Sequence, residues 1–213
     1  MKQLFGIPYH IESIKDYDKK KIIDDIHHNY SIDKGRNKWD EFSNLHHANK
    51  DSFNKDFKEI DFKPLIPLYE KSISNFLSTF KGCKDFKFDF EIVNYTCVTK
   101  DQFMKMHDHV MLSDFHAVHY VKFNPKVHKS TLYKNTHMFS DYFKHLRKGF
   151  YESMDDTPIE NSWLQSDYYL DVKEDDLLIL PSCIPHMISS VKTEETRITI
   201  VLNIKVNDYN TTN

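Results

Sequence analysis

Histidine is the residue type that stands out in this chain of 213 residues, with 13 copies and a dense group between positions 107 and 128. Two of them, His107 and His109, flank Asp108 at the end of a predicted strand. Because side chains alternate between the faces of a strand, both imidazoles share one face and the aspartate lies on the other. Two imidazoles at this spacing can bind one metal ion, although a polar strand end without a metal shows the same pattern.

A third histidine and an arginine follow later in the chain. An apolar run, Leu177–Leu180, leads to a turn in which Pro185 restricts the backbone directly before His186. Arg197 then begins a predicted strand, on the face opposite a row of isoleucines. If that face is also buried, the guanidinium needs an anionic partner, and a carboxylate matches its planar donors. The alternative is an ion pair with one of the two glutamates just before it.

The elements that must position these residues can be predicted from the hydrophobic pattern. Apolar residues at helical spacing indicate one helix from Ser13 to about Asn29 and a second from Pro64 to Gly82. Residues 31–61 show little periodicity and are predicted to form a long loop.

From Asp85 onward the apolar period changes from about 3.6 residues to about 2, which indicates β-strands. The first predicted strand reaches Ile92, and others are predicted at 103–109, 116–123, 131–134, 168–173, 176–180, 186–191 and 196–206.

This order of elements predicts an α+β domain that is mostly β, with the N-terminal helices on one outer face of a sandwich or barrel. Residues 1–84 would form a helical support region, residues 85–206 the β core, and residues 207–213 a flexible tail. The stretch 137–166 interrupts the strands and is predicted to be an insertion at the site entrance, with a short helix at 140–149.

Composition excludes several classes of function. A net charge of −3 gives no basic footprint for nucleic acid, and four isolated glycines cannot build a dinucleotide-binding or phosphate-binding loop. Three cysteines, odd in number and far apart, indicate reduced thiols instead of a disulfide framework. With no secretory signal and no long apolar run, we expect a cytoplasmic protein that does not insert into membranes.

The motifs also resemble a known family. They are His107-x-His109, the strand Ala117–Phe123, the run Asp176-Leu-Leu-Ile-Leu-Pro-Ser…Pro185-His186, and Arg197-x-Thr199. Together they resemble the 2-oxoglutarate/Fe(II)-dependent oxygenases, most closely phage and marine bacterial ones loosely related to prolyl hydroxylases. The resemblance covers residues 85–206 and implies a double-stranded β-helix, that is, a jelly-roll or cupin-like barrel. It implies Fe(II) as cofactor and 2-oxoglutarate as cosubstrate.

Roles for single residues follow from the same resemblance. His107 and His186 would be the first and the distal iron ligands, and Arg197 would bind the C5 carboxylate of 2-oxoglutarate. Candidate helpers at that carboxylate are Thr199, Tyr120 and Tyr95. The implied reaction is hydroxylation of a C–H bond with release of succinate and carbon dioxide.

At one position the sequence departs from the family pattern, because His109 stands where an aspartate or glutamate is usual. His109 could itself be the third ligand, Asp108 or Asp114 could supply a carboxylate through a local bulge, or water or substrate could fill the position. The shared face with His107 favours His109, and neutral imidazole is a good ligand for iron.

Two other functions stay open at this stage. A cupin-like three-histidine metalloenzyme, such as a thiol dioxygenase, would use Arg197 to bind the carboxylate of its own substrate. A non-catalytic binding module would keep the barrel without the chemistry. The substrate of an oxygenase could be a peptide or protein side chain, by analogy with prolyl hydroxylases, or a small metabolite. His46 and His47 are expected at the surface, and His116, His119 and His128 beside the site or at the surface.

Overall fold

The computed structural model describes residues 2–4, 7–35, 42–49, 54–80, 83–136 and 167–211. The predicted insertion at 137–166, with its helix at 140–149, lies outside the described residues. The helices are α1 (Lys19–Ile32) and α2 (Ile66–Leu77). The strands are β1 (Lys2–Leu4), β2 (Ile7–Ser13), β3 (His46–Ala48), β4 (Cys83–Val98), β5 (Met104–His107), β6 (Phe115–Lys122), β7 (Leu132–Lys134), β8 (Asp167–Tyr169), β9 (Asp176–Pro181), β10 (His186–Ile188) and β11 (Arg197–Thr211).

The strands form two antiparallel sheets. The large sheet has the order β1-β2-β9-β6-β11-β4-β3 and the small sheet the order β5-β10-β7-β8. Strand β11 lies between β4 and β6 in the large sheet, and its Ile200 pairs with Tyr95 of β4 on one side and with His119 of β6 on the other. The prediction of a mostly β chain with two helices and many short strands is therefore confirmed.

The large sheet separates two layers. Its first face packs against both helices, because alternate residues of β11, such as Ile198 and Ile200, are fully buried in one cluster with Ile26 of α1 and Ile73 of α2. The second face packs toward the small sheet, and its buried cluster contains residues from both sheets: Val118, Tyr120, Leu178, Leu180 and Tyr133. Arg197, Thr199, Val201 and Asn203 alternate with these isoleucines on β11 and consequently face the space between the sheets.

The N-terminal third differs from the prediction in its strands. Ser13 does not cap a helix, since β2 runs through it and Ser13 pairs with Asp176 of β9. Helix α1 begins later, where the Asp18 side chain accepts a hydrogen bond from the N–H of Lys21 at 3.0 Å. Residues 1–84 thus supply three strands of the large sheet as well as the two helices.

The second helix lies inside its predicted range, whereas the last strand extends beyond its predicted end. Helix α2 starts at Ile66 and buries the predicted stripe through Tyr69, Ile73 and Phe76. At the other end of the chain, β11 continues to Thr211, so most of the predicted flexible tail belongs to a strand. Among the described residues, neither helix has the length and apolar character that crossing a membrane requires.

Candidate metal centre

Three histidines converge between the sheets. His107 at the end of β5 pairs directly with His186 at the start of β10, and their ring centroids lie 4.3 Å apart. His109 follows two residues later, held by a hydrogen bond from its N–H to the carbonyl of Ser182 at 3.0 Å. One ring nitrogen of each histidine lies within 4.8 Å of the others. The sequence prediction that His107, His109 and His186 meet is thus realised in the fold.

The hydrogen bonds of the rings determine which nitrogen carries the proton. Nδ1 of His107 lies 3.0 Å from the carbonyl oxygen of Lys105, and Nδ1 of His186 lies 2.9 Å from that of Ile184. Nδ1 of His109 lies 2.8 Å from Oδ1 of Asn203. Because these oxygens only accept hydrogen bonds, each Nδ1 carries the proton and each Nε2 presents a lone pair.

Burial keeps two of these rings in the form that binds metals. Desolvation lowers the pKa of His186 to about 3, and it also lowers the pKa of His109. Nε2 of His109 is buried and has no hydrogen-bond partner among the described residues. Convergent imidazole nitrogens of this kind are a donor set that suits Fe(II) and other divalent transition metals.

The two aspartates considered as alternative ligands do not join this group. Asp108 is exposed, and its Oδ1 accepts a hydrogen bond from the N–H of Val110 at 3.0 Å. Asp114 is also exposed and accepts from the N–H of Val206 at 2.8 Å. Within the described part of the chain, His109 is the third residue whose ligand atom converges with those of His107 and His186.

Arg197 is buried nearby, and no carboxylate of the described residues pairs with it. The Arg197 side chain belongs to a residue that is only 2% exposed. Its guanidinium donates hydrogen bonds to the carbonyl of Lys129 at 3.2 Å and to Oγ1 of Thr131 at 3.1 Å. Its Nε has no hydrogen-bond partner among the described residues. The ion pair with a neighbouring glutamate is not formed, since Glu194 pairs with Lys100 at 3.7 Å and Glu195 accepts from Asn124 at 3.2 Å. A buried cation without a counterion is unfavourable, so this arrangement indicates an anionic ligand.

The histidines and Arg197 line one cavity of about 220 Å³, which we call the metal cavity. Two hydroxyls accompany Arg197 there. Thr131 Oγ1 accepts from both Arg197 and Tyr120, so its own proton remains available to a ligand. Thr199 Oγ1 lies 2.7 Å from Oγ1 of Thr96, and one proton of this pair is likewise available. The metal cavity is also lined by Met104, Val118, Ile188, Val201 and Asn203.

Comparison with known proteins places this geometry in a known fold. The non-heme α-ketoglutarate-dependent carbocyclase SnoK from nogalamycin biosynthesis matches with a TM-score of 0.55 and 10% identity, over 96% of this chain and 82% of that one. A prolyl-4-hydroxylase from Pseudomonas putida matches with a TM-score of 0.52 and 10% identity, over 95% and 94%. HygX from Streptomyces hygroscopicus with nickel and 2-oxoglutarate bound matches with a TM-score of 0.51 and 11% identity, over 94% and 83%.

The chain has the fold of the 2-oxoglutarate/Fe(II) oxygenases. No family model and no curated protein matches the sequence. The resemblance that the sequence motifs indicated is confirmed, because these solved structures share the fold over almost the whole of this chain.

The two tyrosines predicted to assist the cosubstrate lie elsewhere in this oxygenase fold. Tyr120 does not line the metal cavity; its hydroxyl donates to Thr131 at 3.0 Å and its ring packs 5.3 Å from the guanidinium of Arg197. Tyr95 faces the helices, where its hydroxyl accepts from Asn29 at 2.9 Å. The prediction for Tyr95 is wrong, because the register of β4 places its side chain on the face of the sheet opposite Arg197.

Tyr133 is a further candidate that the sequence motifs did not indicate, although it, like Tyr120, is not among the residues that line the metal cavity. On strand β7 it pairs with His186 of the neighbouring strand β10, and the centroids of the two rings lie 5.6 Å apart. Its hydroxyl is buried and has no hydrogen-bond partner among the described residues. Thr131, two residues earlier, was also missed, since a lone threonine on a short strand carries no recognisable signal.

His116 is a fourth histidine at the centre. It is fully buried on β6, and its ring stacks on those of His186 and His109 at centroid distances of 4.5 Å and 5.0 Å. Burial holds its pKa well below the ordinary value, so the stack is uncharged. The ring fills the space behind two of the convergent histidines and restricts their orientation.

The expectation that His46 and His47 lie at the surface is wrong. Both belong to β3, which pairs with β4, and both are buried. Nδ1 of His46 donates to the carbonyl of Asp33 at 2.6 Å, whereas His47 lines the metal cavity. His119 is buried on the helix-facing side, where Nδ1 lies 2.8 Å from the hydroxyl of Tyr69.

Proposed function

We propose that the protein is an Fe(II)- and 2-oxoglutarate-dependent dioxygenase that hydroxylates a C–H bond, with the two sheets closing as a double-stranded β-helix around residues 85–206. The observation that carries this proposal is that the buried Arg197, which pairs with no carboxylate in the described part of the chain, lines the same cavity as three convergent histidine nitrogens. 2-Oxoglutarate has a chelating oxo acid at one end and a carboxylate at the other, which matches a metal and a cation in one cavity.

The metal ligands in this proposal are the Nε2 atoms of His107, His109 and His186. Three protein ligands leave coordination positions open for the oxo acid and for dioxygen. When bound, the iron supplies oxygen activation coupled to decarboxylation of 2-oxoglutarate to succinate. Because all three ligands are neutral, the site carries one more positive charge than one with a carboxylate ligand, which favours binding of the dianionic cosubstrate.

The other residues of the cavity bind and orient the cosubstrate. Arg197 would hold its distal carboxylate through charge-assisted hydrogen bonds, with Thr131 and Thr199 of the cavity lining as further donors. Tyr133, which lies outside that lining and next to His186, is proposed as an additional donor. Tyr120 holds Thr131 and packs on the guanidinium, so it acts as a positioning residue. The apolar side chains that line the cavity limit the access of water to the bound ligand.

Thermal unfolding with the inert analogue N-oxalylglycine tests the proposal. We expect the melting temperature to rise on addition of nickel and to rise further when the analogue is added, because each binds only the folded protein. With iron, ascorbate and 2-oxoglutarate, succinate should be released. An analogue that fails to stabilise the metal-loaded protein would refute the assignment.

The three-histidine ligand set specifically favours a second candidate, a cupin-like metalloenzyme that does not use 2-oxoglutarate. For that candidate, nickel stabilises the protein whereas N-oxalylglycine adds nothing. A non-catalytic binding module, in turn, would bind no divalent metal at micromolar concentration.

A further inference from the structure

The metal cavity continues into two further depressions along strand β4. The first, which we call the edge groove, has a volume of about 640 Å³ and shares Asn49, Val93 and Asn94 with the metal cavity. The second, the outer depression, measures about 410 Å³, shares Ile92 with the edge groove and extends to Phe88. The residues of β4 that line the three openings run from Phe88 to Thr96, eight residue steps or about 26 Å of extended backbone. This elongated shape fits an extended polymer better than a compact metabolite.

Strand β4 offers a partly open sheet edge along this track. On its outer side it pairs with β3, and only at three positions, from Ala48 opposite Tyr95 to His46 opposite Cys97. The described residues contain no other strand on that side of β4. The backbone N–H and C=O groups of an edge strand are a template on which an extended peptide can add as a further strand. The edge groove begins where β3 ends.

A bulge in β4 directs two side chains from this edge into the metal cavity. Val201 pairs with Asn94 and Leu202 with Ile92, so Val93 is an extra residue in the ladder. Both Val93 and Asn94 line the metal cavity and the edge groove. Oδ1 of Asn94 is buried without a hydrogen-bond partner among the described residues. It is therefore available to accept a hydrogen bond from a bound ligand.

The walls of the edge groove suit a peptide with apolar side chains. Three large apolar side chains, Phe57, Ile60 and Phe62, line the groove together with polar residues such as Asn29 and Asn54. Its charged residues have both signs, with Lys55 and Lys58 against Glu59. Mixed charge gives no preference for a polyanion, so a nucleic acid is disfavoured.

We propose that the substrate is a polypeptide segment that adds as a strand along the outer edge of β4, donates a hydrogen bond to Asn94, and presents one side group to the metal cavity. This inference rests on the proposed function. The balanced reaction converts a C–H bond of that side group, dioxygen and 2-oxoglutarate into C–OH, succinate and carbon dioxide, with one oxygen atom entering the alcohol and one the succinate.

A library of randomised, end-capped ten-residue peptides tests the substrate class. The iron-loaded protein is incubated with the library, 2-oxoglutarate and ascorbate, and mass spectrometry identifies peptides that gain one oxygen atom. Hydrogen exchange is then measured on the protein with nickel, N-oxalylglycine and a selected peptide. We expect slower exchange within residues 88–94, while β1, at the opposite edge of the same sheet, serves as the control and keeps its rate.

Substitution of Asn94 gives a second, independent measurement. Asn94→Leu keeps the size of the side chain and removes the acceptor, so KM for the selected peptide should rise about tenfold, the effect of one lost hydrogen bond. Lys20→Glu, on the exposed face of α1, is the control and should keep the KM of the wild type.

The outcomes separate this inference from the proposed function. Peptide oxidation with slower exchange in residues 88–94 supports strand addition. A bound peptide that slows exchange only elsewhere overturns the docking site. If no peptide is oxidised by a protein that N-oxalylglycine stabilises, the polypeptide substrate is wrong and the oxygenase assignment stands. Absence of that stabilisation overturns the proposed function and, with it, this inference.

Discussion

Nδ1 of His109 donates a hydrogen bond of 2.8 Å to Oδ1 of Asn203, which connects residues 94 positions apart in the sequence. Asn203 lies on β11 in the large sheet, six residues after Arg197, and its side chain lines the metal cavity. This hydrogen bond orients the ring of the one proposed ligand that lies outside a strand. It also keeps the proton on Nδ1, so that Nε2 faces the other two histidines.

Asn203→Ala should therefore weaken metal binding about 10- to 100-fold, as loss of a group that orients a ligand usually does. Titration of the metal-free protein with nickel measures the effect. Asn203→Asp keeps an acceptor at the same place and should bind nickel at least as tightly as the wild type. Equal affinity of the alanine variant would show that His109 needs no such support.

The identity of the third ligand can be tested with a matched pair of substitutions. His109→Ala should lower nickel affinity about 100-fold or more, whereas Asp108→Ala should leave it close to the wild-type value, because Asp108 is exposed and hydrogen-bonded to Val110. The reverse order of affinities would assign the position to the aspartate.

Arg197→Met should weaken cosubstrate binding without lowering the stability of the protein. Replacing a buried, unpaired cation by an apolar side chain of similar length is expected to leave the metal-free protein at least as stable as the wild type. The same change should weaken binding of N-oxalylglycine by on the order of 100-fold, because the charge-assisted hydrogen bonds are lost. Urea unfolding and analogue titration measure the two effects, and unimpaired binding would refute the role of Arg197.

Two buried tyrosines should respond differently to loss of the hydroxyl. Tyr133→Phe removes a hydroxyl without a hydrogen-bond partner among the described residues, so stability should be retained while KM for 2-oxoglutarate rises. Tyr120→Phe removes the hydrogen bond to Thr131 and should cost about 1 kcal/mol of unfolding free energy. Similar behaviour of both variants would contradict the assignment of Tyr133 to the cosubstrate.

His119 should make stability depend on pH. Burial lowers its pKa to about 3 in the folded protein, below the ordinary value of about 6.5. Below that ordinary value the unfolded chain binds a proton at this residue that the folded protein does not. The free energy of unfolding is therefore at its full value above about pH 6.5, as far as His119 is concerned, and decreases as the pH falls toward 3. Within this range the free energy of unfolding falls by up to about 1.4 kcal/mol per pH unit.

Urea unfolding of the metal-free protein between pH 4 and pH 6 measures this dependence. His119→Asn should reduce the slope of unfolding free energy against pH by about one proton. The other buried histidines are unchanged in the variant, so the difference between the two slopes belongs to His119. Identical slopes would show that this ring is not the group concerned.

Hydrophobic periodicity predicted most of the β core. Each predicted segment from 103–109 to 196–206 overlaps an observed strand between β5 and β11, because the alternation of apolar and polar residues is a local property of the sequence. Strands β1, β2 and β3 were not predicted. Strands β2 and β3 pair with β9 and β4, which lie about 165 and 50 residues away, and no local pattern records such a partner.

Residue type and spacing were enough to name His107, His109, His186 and Arg197, and the family resemblance added Thr199. Which other residues join them depends on the tertiary structure. It turned Tyr95 toward the helices, brought Thr131 and Tyr133 beside Arg197 and His186, and stacked His116 on the histidines. The physical reason is that strand alternation specifies two faces, whereas long-range pairing determines what each face meets.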